Sequence, residues 1–323
     1  MQSTAVNELK PAQEVDQVFL IRRKQLRQAR NGSLYFQAEL CDSTGSVPAR
    51  MWDASEVLLE ALGNTNFVRV RGRVEVYREQ LQLILASIRP APQEEVDLER
   101  FLPHSPYDPD ERLARLLDIT ESVGNPHLRS LLQAFFDDEV FIEQFKRCPA
   151  AVSYHHPTIG GLVEHTASVT EMAELVCQHY PHIDRDMLLT GCVLHDIGKT
   201  RELAYQEAFT YTVHGELVGH VTSGVLMVEE KVRGLADFPP ELLDELRHVI
   251  LSHHGEYEFG SPKLPMTREA LALHYLDNLD AKMEAITRAM EDKAAGDETW
   301  TERLRMFQRH FYRGATPADE NTE

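Results

Sequence analysis

Gly191-Cys192-Val193-Leu194-His195-Asp196-Ile197-Gly198-Lys199 is the stretch that decides how the larger part of this 323-residue chain folds. An apolar run delivers an adjacent His-Asp pair, turns at Gly198 and presents Lys199. Buried apolar flanks that end in two adjacent polar side chains imply a task for those side chains, because burying them without partners is costly. An imidazole beside a carboxylate suits a divalent ion that accepts nitrogen and oxygen together. Lys199 follows His195 by one helical turn and is placed to hold a phosphate oxygen near such an ion.

Outward from this stretch, histidine is concentrated. Twelve of the fifteen histidines lie between His155 and His274. From residue 110 onward, apolar residues recur at three- and four-residue spacing. That spacing predicts helices over 111–120, 126–137, 139–146, 161–179, 185–196, 214–233, 240–253 and 268–290, with a last helix over 301–312. A helical bundle can bring His165, His195, Asp196, His220, His253, His254, Asp277 and Asp280 together, since metal sites are built from side chains on facing helices. His155 and His156 precede Pro157 in a loop at the mouth of the helix over 161–179, which carries His165. They are candidates either to contact substrate or to cap that helix.

The first third of the chain reads differently. Residues 18–21 begin a strand, and 34–40, 46–52, 67–77 and 81–88 follow, separated by turn signals at Asn31-Gly32 and at 42–45. Helical spacing over 54–62 precedes the fourth strand, in which apolar and basic residues alternate. Five short strands with a helix before the fourth resemble the oligonucleotide/oligosaccharide-binding (OB) fold, a small Greek-key barrel. Tyr35, Phe36, Trp52 and Tyr77 are candidates to stack on bases, and Arg50, Arg69, Arg71 and Arg73 to track phosphates. The same aromatics also suit a barrel core, and the arginines a solvated face. The expected organisation is two-domain: a polar, mobile leader over 1–15, an OB-like β-barrel over 16–92, a Pro- and Glu-rich linker over 93–109, an all-α helical bundle over 110–313 and a polar tail over 314–323.

Composition sets the outer limits. Hydrophobic and charged fractions of 42% and 26% are those of a soluble globular protein. No apolar stretch approaches the roughly 20 residues that span a bilayer, so no membrane partner is expected. Four scattered cysteines with no Cys-x-x-Cys pair, and a polar N-terminus, point to the cytoplasm. The net charge of −19 is uneven: residues 16–92 hold 11 Lys and Arg against 8 Asp and Glu, or +3, which leaves −22 for the remainder. That asymmetry suggests a division of labour. The apolar C-terminal helices make a homo-oligomer a further candidate.

The order His165, His195-Asp196, Asp277 resembles the HD-domain superfamily of metal-dependent phosphohydrolases. It is joined by Gly161-Leu162-Val163-Glu164-His165-Thr166, Ser252-His253-His254-Gly255 and Asp277-Asn278-Leu279-Asp280-Ala281-Lys282. With the barrel in front, almost the whole chain is similar to the YhaM-type 3′→5′ exoribonuclease family, which joins such a barrel to an HD domain. The resemblance implies two divalent ions (Mn²⁺ first, with Co²⁺, Fe²⁺ or Mg²⁺ as alternatives) and removal of nucleotides from the 3′ ends of single-stranded nucleic acid, RNA favoured over DNA. It implies that His165, His195, Asp196 and Asp277 bind the first ion, and that His220 and His253, with His254, complete a second. Asp280, one turn beyond Asp277, either touches substrate or orients a ligand. HD enzymes with three ions place a Glu four residues before the first His; here that position is Gly161, which implies two. The HD-GYP signature of cyclic-dinucleotide enzymes is also missing, the chain reading Gly255-Glu256-Tyr257-Glu258.

The expected chemistry is an in-line displacement between two ions bridged by Asp196, with Lys199 neutralising a non-bridging phosphate oxygen. Two rival readings keep the metal site: a mononucleotide phosphohydrolase or cyclic-nucleotide phosphodiesterase, and a non-catalytic single-strand-binding module with a structural ion. The barrel argues against the first rival. The surplus of histidines over the four ligands of a structural site argues against the second.

Overall fold

The computed structural model describes residues 3–28, 32–77, 80–97, 100–152, 156–205, 209–291 and 299–314. His155, the Asn31 position of the first turn and the tail beyond 314 lie outside them. The chain forms two compact units that divide after His104.

In the first unit, β1 (Glu14–Gln28), β2 (Leu34–Asp42), β3 (Gly45–Trp52), α1 (Glu56–Leu62), β4 (Phe67–Tyr77) and β5 (Gln80–Pro90) follow in order. The strands close into a barrel in the order β1-β2-β3-β5-β4, with β4 returning to β1. Alternation drives the closure. Val68, Val70 and Val74 of β4 face a core of Phe19, Phe36, Leu40 and Leu83, while Arg71 and Arg73 stay exposed. This is the OB-like barrel that the strand spacing predicts. Two expectations are corrected. The leader is not loose: Val6 and Leu9 are buried in the barrel core, and Val6 N–H donates to Asp42 Oδ2 at 2.8 Å. The first part of the expected linker also belongs to the barrel, since Phe101 packs on Phe67 with ring centroids 5.1 Å apart.

The second unit is a helical bundle: α2 (Pro109–Glu121), α3 (Pro126–Phe136), α4 (Glu139–Arg147), α5 (Gly161–His179), α6 (Arg185–Leu194), α7 (Lys199–Glu202), the short strands β6 (Leu203–Ala204) and β7 (Thr210–Tyr211), α8 (Val213–Val232), α9 (Pro240–Ser252) and α10 (Arg268–Glu291). Asp108, Asn125, Asp138, Asp184 and Thr212 cap α2, α3, α4, α6 and α8, each side chain accepting from a first-turn N–H. α6 is buried from Met187 to Leu194, so it forms the axis against which α3, α5, α9 and α10 pack. Among the described residues, no helix is long and apolar enough to cross a membrane.

The last expected helix does not form. Residues 299–314 make a hairpin in which Trp300 bridges Tyr312 and Leu304 bridges Arg309. Thr299-Trp300-Thr301 and Phe311-Tyr312 favour extended pairing, and Gln308 sits at φ +54°, which ends any helix there.

Candidate metal centre

The axial helix α6 ends beneath the centre of the bundle and delivers His195 and Asp196, which are 0% and 2% exposed. α5 supplies His165, α10 supplies Asp277, α8 supplies His220, and the end of α9 supplies His253 and His254. Gly198 makes the approach of α8 feasible: a Cβ there would lie 2.0 Å from the carbonyl oxygen of His220. Gly219, at φ +74°, kinks α8 one residue before His220. The kink turns the His220 N–H onto Glu202 Oε1, at 2.9 Å.

Two sets of ligand-type atoms converge on Asp196. In the first, His165 Nε2 lies 3.2 Å from His195 Nε2, 3.2 Å from Asp277 Oδ1 and 3.5 Å from Asp196 Oδ2. In the second, His220 Nε2 lies 3.2 Å from His254 Nε2 and 3.4 Å from Asp196 Oδ1, with His253 Nε2 3.6 Å from the same oxygen. One carboxylate thus turns one oxygen to each set. Asp196 Oδ1 and His253 Nε2 are buried without a hydrogen-bond partner, an arrangement that costs free energy unless something electropositive sits between them.

The imidazoles are aimed by their other nitrogens. Nδ1 of His195 and of His253 donates to the carbonyl three residues back, Cys192 O at 2.8 Å and Ile250 O at 2.7 Å. Nδ1 of His254 donates to Phe259 O at 2.9 Å, that of His165 to Asp280 Oδ2 at 2.7 Å and that of His220 to Glu202 Oε1 at 3.0 Å. Each ring therefore turns Nε2 to the centre, the tautomer a metal ligand requires. The donor set of five imidazoles and two aspartates fits divalent transition ions.

Charge follows the same division. Burial favours the neutral ring of His253 and holds its pKa well below the usual histidine value; burial and His220 lower that of His254. Burial alone would lower His165 too, but hydrogen bonds with Asp277 and Asp280 prevail and hold it up to about 10. Burial works against ionisation of Asp196, yet Lys199 and His195 keep its carboxyl far below the carboxylate range. Lys199 Nζ donates to Asp196 Oδ2 at 2.5 Å and lines a cavity of about 350 Å³ with Asp277, His254, Phe259, Asn278, Lys282 and Met306.

Some candidate substrate contacts are corrected. Phe36 is 0% exposed in the barrel core and offers no ring face to a base. His156 and Asp280 are buried in one network: Asp280 Oδ2 accepts from His156 Nε2 at 3.0 Å as well as from His165, its other oxygen accepts from Ser168, and His156 Nδ1 faces Glu164 at 3.2 Å. Neither reaches the cavity. Arg71 and Arg73 stay exposed on β4, Arg71 with Asp16 at 2.8 Å and Arg73 with Glu14 at 4.0 Å, and remain candidates. Trp52 and Tyr77 remain about half exposed, Trp52 against Tyr35 and Tyr77 beneath Arg50. Glu202, which sequence reasoning passed over, lies 18 residues from the histidine it orients, too far for helical spacing to reveal.

Residues 162–282, which carry every one of these ligand-type side chains, match the HD domain. The 3′-5′ exoribonuclease YhaM of Bacillus velezensis is 37% identical over 303 residues, 93% of this chain and 95% of its own. The chain belongs to the YhaM family. The Bacillus subtilis YhaM exoribonuclease is 36% identical over the same shares of both chains. Among solved structures, the second OB-fold domain of replication protein A from Methanococcus maripaludis aligns with 27% of this YhaM-family chain and 92% of its own, at 20% identity and a TM-score of 0.20.

Proposed function

We propose that the protein is a metal-dependent 3′→5′ exoribonuclease acting on single-stranded RNA. The observation that carries this reading is Asp196, whose two oxygens face two separate imidazole sets inside an HD domain. End-to-end similarity to YhaM exoribonucleases supplies the polarity and the substrate class. His165, His195, Asp277 and Asp196 would hold one divalent ion, and His220, His253, His254 and Asp196 a second, with Mn²⁺ favoured. Such ions supply an activated water and neutralise charge on the phosphodiester. Lys199 neutralises a non-bridging oxygen of the terminal phosphodiester. Asp280 and Glu202 hold their imidazoles in the ligating tautomer. Trp52, Tyr77 and Arg50 of the barrel stack on and pair with the upstream strand. A cytoplasmic setting fits the four free cysteines.

The test uses 5′-labelled single-stranded RNA with Mn²⁺ and with chelator. A metal-dependent ladder shortening from the 3′ end is expected. Release of inorganic phosphate alone, or action on free nucleotides alone, overturns the reading. Asp196→Ala should lower the rate by more than the roughly 100-fold typical of losing an outer partner of a ligand.

A further inference from the structure

The hairpin 299–314 supplies none of the ligand-type side chains of the metal centre, and its composition departs from the unit that carries it. It holds four arginines against one glutamate, in a chain whose net charge is −19. Arg303, Arg305 and Arg309 are exposed, and among the described residues none of the three is paired with a carboxylate. Three arginines of the barrel behave otherwise: Arg69, Arg71 and Arg89 are neutralised by Asp16 and Glu95. Clustered guanidinium groups without acidic partners repel one another, and an anionic ligand relieves that repulsion.

Two further observations say which anion fits. Trp300 and Tyr312 stand side by side across the hairpin, ring centroids 5.3 Å apart, and are 46% and 52% exposed. Flat aromatic faces interleaved with arginines match bases and phosphates of a single strand, whereas an acidic peptide would leave the rings uncovered. The second observation is place. The hairpin is tied to α10, the helix that carries Asp277, through Arg313 Nη2 donating to Ala289 O at 3.0 Å. From its turn, Met306 lines the same cavity as Asp196, Lys199 and Asp277. A strand whose end occupies that cavity meets the hairpin as it leaves.

We propose that residues 299–314 form a single-stranded RNA contact on the catalytic unit, gripping the nucleotides next to the scissile bond. Arg303, Arg305 and Arg309 take phosphates, and Trp300 and Tyr312 take bases. The bonds from Arg303 Nε to Gln308 O and from Arg309 Nε to Phe307 O, both 3.2 Å, steady two of the guanidiniums against the hairpin's own main chain. This contact rests on the exoribonuclease reading for its ligand. It implies that the helical unit, acidic as a whole, holds the substrate end through its own residues.

The decisive experiment is photo-crosslinking of the full-length protein in chelator. The probe is a single-stranded RNA of about 12 nucleotides, within the span of known single-strand sites, carrying 4-thiouridine near its 3′ end. Crosslinked peptides are mapped by mass spectrometry. Crosslinks within 299–314 are expected; crosslinks confined to the barrel overturn the proposal. In parallel, the full-length triple variant Arg303→Gln, Arg305→Gln, Arg309→Gln is compared with the wild type. Its dissociation constant should rise about tenfold or more, and the slope of log affinity against log salt should fall by about 2, near 0.7 for each phosphate no longer neutralised. Its Mn²⁺-dependent hydrolysis of bis(p-nitrophenyl) phosphate, which carries no flanking nucleotides for the guanidinium groups to hold, should be unchanged. Unaltered affinity and slope overturn the proposal, and the wild-type crosslinks decide it even if the variant misfolds. A wild-type protein that crosslinks at the hairpin but yields no 3′→5′ ladder leaves this contact standing and removes the exoribonuclease reading.

Discussion

Asp280 lies one helical turn beyond Asp277 but binds His165, His156 and Ser168 instead of facing the cavity. Asp280→Asn keeps its shape and removes its charge. Mn²⁺ affinity, read by titration calorimetry, should fall about 10- to 100-fold; unchanged affinity would leave Asp280 a packing role only. The histidines also set how the metal-free protein responds to pH. His253 and His254 are neutral when folded, so below about pH 6.5 the unfolded chain takes up protons that the folded one does not, and stability falls on the acid side. His165 has the opposite sign. Its folded pKa of about 10 lies above the unfolded value, so its contribution is complete below about 6.5 and is lost as pH rises toward 10. Thermal unfolding in chelator should therefore show maximal stability near about pH 6.5, and a Tm that climbs from pH 7 to 9.5 would contradict this account.

At the scale of elements, α8 and the turn before α7 are fitted to each other through Gly198. Gly198→Ala would drive a methyl into His220 O and Gly224 N. A cost of about 1–3 kcal/mol is expected, as for other overpacked sites, together with loss of Mn²⁺ binding as His220 shifts. Calorimetric unfolding and metal titration of the same sample check both; an unchanged Tm would mean that α8 moves freely. Elements are legible where pattern and packing agree. The range 161–179 predicted from apolar spacing is that of α5, and the other long bundle helices differ by a residue or two at their ends, where caps and not periodicity set the limit, whereas the single turn α7 is too short to show a period. The segment 301–312 reads as a helix in sequence because Leu304, Phe307, Phe311 and Tyr312 fall at helical intervals by chance. Its extended pairing depends on Thr301, whose N–H and side chain both bind Phe311, ten residues away.

At the scale of the whole chain, the candidate ligand set is legible through the resemblance to the HD domain, whose motifs fall within helices of this chain or just past their ends. The barrel's contact surface is not, since alternation alone does not say which face of a strand looks inward; Phe36 and Tyr35, adjacent in sequence, take opposite faces. Trp52 is the barrel ring on which long strands should depend. Trp52→Ala should weaken binding of long single-stranded RNA by about 1–3 kcal/mol, the range for one stacked base, and spare oligonucleotides too short to leave the helical unit. Fluorescence anisotropy against strand length checks this; equal losses at all lengths would place Trp52 in the stability of the barrel.

The anchors behind the imidazoles come in two kinds. His195, His253 and His254 lean on main-chain carbonyls, which no substitution can remove. His165 and His220 lean on carboxylates, Asp280 and Glu202, one for each half of the centre. The first half thus pairs one fixed imidazole with one adjustable one, and the second pairs two with one. Substitution at Asp280 or Glu202 alone would therefore retune the electron-donating strength of one half of the candidate centre while its imidazoles stay unchanged.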